Sequence, residues 1–444
     1  MEFWVAVMVV SVVLSLPTNV HLTALHGLVN VRPWEPALAA LLIVTVVTYA
    51  RAHWSFVDLT AVCLSITALA VLLRSAVRDL TEAEPHFRVL TDWTGAPAWE
   101  GATKSKGVIT SLLLCGYVVL AILMAGLVRN PAIGKRLMAR ACTLLLWFLA
   151  GYAALFLLLL FASMVLYQGH TTSWLVIIRG IDVGHSRSSP PLAFFGPLEG
   201  LTFATGATLA SVRAASSGSG RPILVGLAVL QALAATLTFS RGAWIALLIG
   251  LVATLLVGVA WRPRMFALAI AAFAVLALAG FVVLALLSGL APHTLQRVTS
   301  LAGGTGGARL GDWIRMLSAF GGSPIFGLGA EAYRPLTNGF PAENLWIEIA
   351  FSGGLLALVP LVVAHGRIAR LAAQLDMGRA RDDPWLMAAF SAFVVAVSGT
   401  FSNTSGWSPV YWLFLGLVVG RLTQATVFEH RMPSAAAAAP AARM

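Results

Sequence analysis

The stretch ACTLLLWFLAGYAALFLLLLFASMVLY (residues 141–167) decides the fold, because it contains no acidic or basic side chain. A helix needs about 20 predominantly apolar residues to cross the roughly 30 Å of hydrocarbon in a bilayer. Eleven similar windows occur elsewhere in the 444 residues, at about 3–16, 36–50, 56–74, 108–128, 191–212, 222–238, 243–260, 265–289, 350–365, 385–402 and 408–424. The sequence therefore predicts an all-α, polytopic membrane protein with about 12 transmembrane helices.

The composition excludes a water-soluble enzyme. Hydrophobic residues make up 59% of the chain and charged residues only 11%, whereas soluble domains average roughly 45–50% and about 25%. The mean hydropathy is +0.87. The cysteines Cys63, Cys115 and Cys142 lie in apolar runs without metal-binding spacing, so neither a disulfide framework nor a zinc site is expected.

The basic residues indicate how the helices are oriented. An even number of spans, twelve, places both termini on the same side of the membrane. If that side is the cytoplasm, the short cytoplasmic loops are the ones rich in Lys and Arg, as the positive-inside rule requires. These loops carry Arg51; Arg129, Lys135, Arg136 and Arg140; Arg213 and Arg221; Arg262 and Arg264; and Arg367, Arg370, Arg379 and Arg381. The net charge of +11 is explained in this way, and no nucleic-acid partner is expected. The short first span, and the window 191–212 with its prolines and Glu199, are both candidates for a partial or broken helix.

Two predicted outer segments, 75–107 and 290–349, are too long to be simple turns. The second combines a Gly-rich stretch (301–311), a helix-like segment (312–320) and the turn-rich stretch FGGSPIFGLG (320–329). The Gly-rich stretch lacks the GK[ST] of a phosphate-binding loop, so it is interpreted as a flexible hinge. The Ala-rich tail 433–444 is expected to be disordered.

Arginines on the outer side are functional candidates, because an arginine near hydrocarbon is costly unless it is paired or reaches water. Arg241 lies beside Ser240 in the tight hairpin between the seventh and eighth spans, and Arg187 lies near His185. The long outer loop adds Arg297, Arg309, Arg315 and Arg334. A lone interfacial arginine usually only extends towards water, but a guanidinium also binds phosphate bidentately. A diphosphate headgroup on a long lipid is therefore the predicted ligand.

No metal or cofactor is expected. The acids of the outer loop, Asp312, Glu331, Glu343 and Glu348, show no metal-ligand spacing. Arginine, rather than Mg²⁺, would then stabilise the departing diphosphate.

Three segments together resemble the O-antigen ligase and polymerase superfamily: LTFSRGAWIALLIG (237–250), RLGDWIRMLSAFGGSPIFGLGAEAYRP (309–335) and PAENLWIEIAFSGGLLALV (341–359). The stretch RSSPPLAFFGPLEGLTFATGATLA (187–210) is similar to the region before the family's core. The elements that carry the resemblance are SR-G, P-x-x-G-x-G and [HE]-N-x-x-x-E-x-x-x-x-G, and it covers roughly residues 185–365.

The resemblance implies a bacterial inner-membrane glycosyltransferase with its active site facing the periplasm. Its donor would be a glycan linked to undecaprenyl diphosphate, and its acceptor a saccharide or lipid A-core, among membrane lipids. It also implies N-terminal transmembrane helices (1–184, including the outer loop 75–107), a catalytic core (185–365, with the periplasmic loop 290–349) and C-terminal transmembrane helices (366–432), followed by the tail.

The resemblance also assigns roles to residues. Glu343 would act as the base and Asn344 would orient it or bind the acceptor. Ser240 and four arginines would bind the substrate and its diphosphate, with Arg241 and Arg187 ahead of Arg315 and Arg334. Family ligases usually have histidine where this chain has Glu343, which leaves ligase and polymerase both open. For Glu343 an ordinary place at a helix start, where negative charge is stabilising, is the alternative.

A transporter or flippase for an anionic lipid-linked glycan is the alternative function. Transporters often contain two related halves with broken helices at matched positions. No convincing internal symmetry is found in this sequence, and its unusual residues concentrate on the outer side.

The topology makes the first testable prediction: the segment 290–349 is extracytoplasmic. A cysteine introduced at Thr305 should react with a membrane-impermeant maleimide in intact spheroplasts. A cysteine at Lys135, in a predicted inner loop, is the control and should react only after lysis. Labelling of position 305 only after lysis would overturn both the topology and the proposed location of the active site.

Overall fold

The computed structural model describes residues 22–24, 29–31, 58–81, 90–91, 97–98, 106–131, 133–167, 181–182, 187–188, 196–216, 221–238, 240–261, 305–333, 336–337, 344–375, 383–401 and 409–431. Within these ranges the chain is almost entirely helical. The helices are α1 Leu59–Thr81, α2 Lys106–Arg129, α3 Gly134–Tyr167, α4 Gly196–Ser216, α5 Arg221–Leu237, α6 Arg241–Trp261, α7 Thr305–Phe320, α8 Leu345–Ala373, α9 Pro384–Gly399 and α10 Pro409–Arg431.

Three short antiparallel strand pairs accompany the helices. They are β1 (Leu22–Ala24) with β2 (Val29–Val31), β3 (Leu90–Thr91) with β4 (Pro97–Ala98), and β5 (Ile181–Asp182) with β6 (Arg187–Ser188). Leu22 faces Val31, Leu90 faces Ala98 and Ile181 faces Ser188. With two or three residues per strand, these pairs are minor additions to a helical fold.

The helices confirm a membrane protein. Four of them are long and apolar enough to cross a bilayer: Leu59–Thr81, Gly107–Arg129, Gly134–Leu158 and Leu345–Ala373. Shorter apolar helices cover Arg221–Leu237, Gly242–Val257, Pro384–Gly399 and Val410–Ala425. The predicted windows 3–16, 36–50 and 265–289 lie outside the described residues, so the count of 12 stays a prediction.

Contacts between helices show the relative directions of α1, α2 and α10. Helix α2 is antiparallel to α1, since Ser111 bonds Ser75 and Cys115 contacts the carbonyl of Ala68. Helix α10 is parallel to α2, because Gly416 lies against Ala121 and Gly420 lies against Ala125. The turns after α7 lie at the end of the bundle where α1 and α9 end. We call this the loop end. The opposite end is the basic end.

Ion pairs join the helices at the basic end. Asp58 caps α1 by accepting from the amide of Thr60 at 3.0 Å, and it pairs with Arg367 at 2.8 Å. Asp383 pairs with Arg421 at 2.5 Å. Arg367, which the sequence assigns to the cytoplasmic side, therefore lies at the same end of the bundle as Arg421, and the side of the membrane that this end faces stays a prediction.

Helix α8 is broken at Gly354, where φ is +66° and ψ is −162°. In an unbroken helix the amides of Leu355 and Leu356 would bond the carbonyls of Phe351 and Ser352, four residues earlier. The break separates these four groups, and each needs another partner because no water is available in an apolar environment.

A loop supplies all four partners. The amides of Leu328 and Gly329 donate to the Phe351 and Ser352 carbonyls at 2.7 and 2.9 Å. The amides of Leu355 and Leu356 donate to the carbonyls of Pro324 and Ile325 at 2.9 and 3.2 Å. We call this interlocked unit, loop 323–331 with the broken turn 351–356, the clasp.

Close packing at the clasp explains the glycines of the P-x-x-G-x-G element. Gly327 and Gly329 have φ of +71° and +93°, which glycine adopts readily and other residues do not. A Cβ at Gly327 would lie 2.5 Å from the Gly354 nitrogen, and one at Gly354 would lie 2.1 Å from the Ile325 carbonyl oxygen. The close approach of the loop backbone to the backbone at Gly354 therefore leaves no room for a side chain at Gly327 or Gly354.

Helix α1 holds the clasp from the side. Arg74 Nε donates to the Gly327 carbonyl at 2.8 Å, and Arg78 Nη1 donates to the Ala330 carbonyl at 2.9 Å. The Ser75 hydroxyl accepts from the Ala330 amide at 2.9 Å. Three residues within one helical turn therefore fix the loop on the end of α1.

The break folds the start of α8 back on the rest of the helix. The indole of Trp346 lies 4.9 Å from the imidazole of His365, although nineteen residues of straight helix would separate them by about 28 Å. Residues 345–353, the first segment, are therefore a separate half-helix. Residues 355–373, the second segment, form the span itself.

Two expectations need correction. The Gly-rich stretch 301–311 is not simply a hinge, since α7 already begins at Thr305; glycine lowers helix stability by about 1 kcal/mol per residue but does not forbid a helix. The window 191–212 shows no break in its described part: a helix runs from Gly196 with Pro197 in its first turn, a position that tolerates proline, and residues 191–195 lie outside the described residues. The break occurs in the 350–365 window instead.

The clasp predicts that Gly354→Ala destabilises the protein. An alanine there must leave a backbone conformation that is nearly restricted to glycine, at about 1–3 kcal/mol, and displace the loop. The apparent unfolding temperature in detergent should fall by several degrees. Gly226→Ala is the control, because nothing lies within 4 Å of a Cβ at that helical position. An equal effect in both variants would show that the clasp contributes nothing to stability.

Candidate active site at the loop end

Asn344 is the N-cap of the first segment of α8. Its Oδ1 accepts from the Ile347 amide at 3.1 Å, and its Nδ2 donates to the Phe401 carbonyl at 3.1 Å. The next amide, of Leu345, donates to the Thr400 carbonyl at 2.9 Å. The half-helix therefore starts directly on the end of α9, with Asn344 buried between them.

Ser240 has the same capping role in the hairpin between α5 and α6. Its carbonyl accepts from the Trp244 amide at 3.1 Å, and its buried hydroxyl accepts from the Ala243 amide at 3.5 Å. The Trp244 indole donates back to the Thr236 carbonyl at 3.1 Å. These hydrogen bonds hold Ser240 at the start of α6, and Arg241 is the first residue of that helix.

Packing connects these two helix starts. Gly399, next to Thr400, lies directly against the Leu201 side chain, and Gly200 lies against Thr238 and Ala243 of the hairpin. A continuous set of contacts therefore runs from Asn344 through the ends of α9 and α4 to the hairpin. The structure brings Asn344 and the Ser240–Arg241 turn to the same end of the bundle.

An aromatic cluster supports the Asn344 helix start from below. Trp346 donates from Nε1 to the Thr400 hydroxyl at 3.0 Å, and its ring stacks on Phe401 at 5.4 Å. His365 contacts the Trp346 ring and lies within hydrogen-bonding distance, 2.7 Å, of the Tyr411 hydroxyl. Because α8, α9 and α10 all contribute, the cluster fixes where the half-helix begins.

Arg315 lies on α7, and the structure does not bring it into contact with Asn344. Its Nη2 pairs with Asp312 one turn earlier, and its Nε donates to the Leu336 carbonyl at 2.8 Å. Half of the side chain is exposed, at 52%. The contacts described give Arg315 a local role, which is to tie α7 to the turn at 336–337.

The remaining predicted residues fall partly or wholly outside the described residues. Glu343 and Arg334 lie outside them, as do His185 and His293. Arg187 belongs to strand β6 and Arg241 to α6, but their side chains are not among those described. Their assigned roles therefore stay predictions.

Sequence reasoning missed Arg74, Ser75 and Arg78. They lie at the predicted boundary between a span and an outer segment, where an arginine is unremarkable. The signal that could have found them is their spacing, since residues 74 and 78 share one face of a helix. The turn after the clasp adds Glu331, which has φ of +65° and accepts from the Thr110 hydroxyl at 3.0 Å.

The described part of the chain holds no group of three or more His, Cys, Asp or Glu side chains that could bind a metal ion. Within that part, the polar groups of the loop end are backbone amides and carbonyls, hydroxyls, amide side chains, arginines and the carboxylates of Glu331 and Glu348. The arginines, amides and hydroxyls among them suit an anionic or hydroxyl-rich ligand.

Comparison with protein families gives one match, and a search of curated proteins gives none. Residues 226–362 match the family described as O-Antigen ligase. The matched region contains most of α5, the Ser240–Arg241 hairpin, α7, the clasp, Asn344 and most of α8. Residues 226–362 are therefore similar to the O-antigen ligase family, which supports the resemblance of the chain to the O-antigen ligase and polymerase superfamily.

Proposed function

We propose that this protein is a glycosyltransferase that moves a saccharide from undecaprenyl diphosphate to a saccharide acceptor at the periplasmic face of the bacterial inner membrane. The O-antigen ligase domain suggests a glycosyltransferase-type membrane enzyme of surface polysaccharide synthesis. The donor, the periplasmic direction and the division 1–184, 185–365 and 366–432 are our proposals.

One observation carries the proposal. The half-helix start at Asn344 and the Ser240–Arg241 hairpin are joined through the ends of α9 and α4. A transferase of this kind needs a base for the acceptor and a binding site for the leaving diphosphate, close together. The two groups that we assign to these tasks, Glu343 and Arg241, belong to these two helix starts.

Glu343 directly precedes the N-cap, so the fixed position of Asn344 limits where Glu343 can lie. We propose that Asn344 acts by orienting Glu343, since its Oδ1 and Nδ2 already bond the backbone. Glu343 would take the proton of the acceptor hydroxyl as its oxygen attacks the anomeric carbon. The N-terminus of the half-helix favours negative charge and would keep this carboxylate ionised before transfer.

Arginines would stabilise the leaving group. As the bond between the anomeric carbon and the diphosphate oxygen breaks, negative charge develops on the diphosphate. We assign Arg241 and Arg187 to that charge, with Ser240 in the same turn and Arg315 and Arg334 as secondary contacts. Since Nε and one Nη of Arg315 are engaged, its second Nη is the group that could reach a phosphate.

The broken helix raises the alternative of a transporter or flippase, because transporters bind substrates at helix breaks. Here the amides and carbonyls freed by the break are bonded to the clasp loop. They are therefore engaged within the protein and do not form a ready substrate site. We favour the enzyme for this reason.

A compartment-free assay separates the two functions. Purified protein in detergent would receive a lipid-linked glycan and a saccharide acceptor, with EDTA present because we propose no metal. Formation of a longer glycan or a conjugate, together with release of undecaprenyl diphosphate, requires an enzyme. A pure transporter yields no product in the absence of a membrane barrier.

We predict that Arg241→Ala lowers the transfer rate by about 10²–10³, the usual cost of removing a donor to developing negative charge. Arg241→Lys should recover little, because lysine keeps the charge but loses the planar, bidentate geometry. The rate is measured in the detergent assay after matching protein amounts. Lys135→Ala at the basic end is the control and should keep its activity. Full activity of the lysine variant would show that only a diffuse positive charge is needed.

We also predict that Glu343→Gln lowers turnover by about 10²–10⁴ while donor binding is retained. Glutamine has nearly the shape of glutamate but cannot accept the proton. Glu343→His should keep some activity, because histidine titrates near pH ~6.5. Glu100→Gln, in the other outer segment, is the control. A Glu343→Gln rate close to that of the wild type would reduce Glu343 to a helix-start residue and direct attention to His185, His293 or Asp312.

A further inference from the structure

Helix α7 has three distinct faces. One face packs inward, where Met316 is fully buried with Tyr333 and Phe351, and Trp313 and Phe320 pack against them. A second face carries Asp312, Arg315 and Ser318. The third face is apolar and exposed: Leu310, Ile314 and Leu317 are each at least half exposed and lie within about 60° of arc on the helix.

The clasp loop carries a second exposed apolar group. Ile325 and Phe326, at its tip, are 53% and 59% exposed. A water-soluble loop rarely exposes neighbouring large apolar residues, and such patches mark an interaction surface.

The hydrogen bonds of the clasp show what this surface adjoins. The Leu356 amide donates to the carbonyl of Ile325 itself, and Leu355 and Leu356 are exposed residues of α8. From there the exposed face of α8 continues through Val359, Val362 and Val363. On the other side of the clasp, Arg74 of α1 donates a hydrogen bond to Gly327. Leu73, beside Arg74, belongs to an exposed apolar stripe that runs along α1 and consists of Leu59, Val62, Ile66, Leu69, Leu73, Val77 and Leu80.

Both stripes belong to helices long and apolar enough to cross a bilayer, so lipid is the natural neighbour of those exposed faces. The exposed clasp tip lies next to the exposed apolar face of α8, to which Ile325 is hydrogen-bonded.

We propose that α7 and the clasp tip are seated in the membrane interface and contact bilayer lipids directly. We call this the interfacial surface; it comprises Leu310, Ile314, Leu317, Ile325 and Phe326. Its occupant is the acyl and headgroup region of the leaflet at the loop end, as for an amphipathic interfacial helix. This inference concerns a binding surface and does not depend on the reaction.

The geometry gives this contact a consequence for the polar face of α7. With Leu310, Ile314 and Leu317 towards lipid, Arg315 and Asp312 are directed away from the acyl chains. The helix is then oriented by three surfaces at once: protein, lipid and water.

Spin-label accessibility tests the proposal on the full-length protein in liposomes of phosphatidylethanolamine and phosphatidylglycerol. Single cysteines replace Leu317 and Phe326 in a background where Cys63, Cys115 and Cys142 are alanine. Cysteine at Val359 is the lipid-facing reference, and cysteine at Ser318, one residue from Leu317, is the aqueous reference. Collision with oxygen relative to nickel-EDDA should be several times higher at 317 and 326 than at 318, and comparable to that at 359.

Two results overturn the proposal. The aqueous pattern of Ser318 at positions 317 and 326 would place the surface in water, and low access to both reagents would show that protein covers it. If the cysteine-free background fails to fold, a benzoyl-phenylalanine photocrosslinker at positions 317 and 326 of the unmodified chain replaces it. Lipid adducts at both positions support the proposal, whereas only protein adducts, or none, contradict it.

Discussion

The structure depends on the need to satisfy backbone hydrogen bonds in an apolar environment. A helix that crosses hydrocarbon satisfies its own amides and carbonyls, and a break exposes groups that water cannot reach. At Gly354 the chain accepts such a break and satisfies all four freed groups with one loop. That solution requires close backbone approach, hence the glycines, and a rigid support, which α1 provides through Arg74, Ser75 and Arg78. The half-helix that begins at Asn344 exists only because this break is tolerated.

The site combines the region that matches the O-antigen ligase family with helices outside it. Asn344 and the Ser240–Arg241 hairpin fall within residues 226–362, but the carbonyl that Asn344 bonds belongs to Phe401, and the clasp rests on α1. Leu201 of α4 lies against Gly399 at the end of α9, and the adjacent Gly200 lies against the hairpin. The matched region therefore supplies the residues that we assign to the chemistry, while α1, α4 and α9 contact them from outside it.

Much of the fold was predictable because each transmembrane helix is a continuous apolar segment that can be identified in the sequence without knowing its neighbours. The apolar windows for α1, α2, α3 and α5 agree with the structure to within several residues, and the helix-like segment at 312–320 is confirmed as part of α7. The broken helix was not predicted, because prolines at 190–197 gave a stronger local signal than the pair Gly353–Gly354. What makes Gly354 a break is the loop bonded to it from about 30 residues earlier, and no local pattern records such a partner. For the same reason the sequence suggests Asn344 and Ser240 as candidate site residues but does not predict the bond from Asn344 to Phe401 or the capping role of Ser240.

The clasp also bears on how such a chain can be made. Helix α1 and the loop at 323–331 both precede α8 in the sequence, so both have left the ribosome before the helix that needs them. The freed amides and carbonyls at the break therefore find their partners already synthesised when that segment enters the membrane. Had the order been reversed, with the loop following the broken helix, those groups would have lacked their partners until the loop was translated. The order of elements along the chain thus suits biogenesis as well as the final architecture.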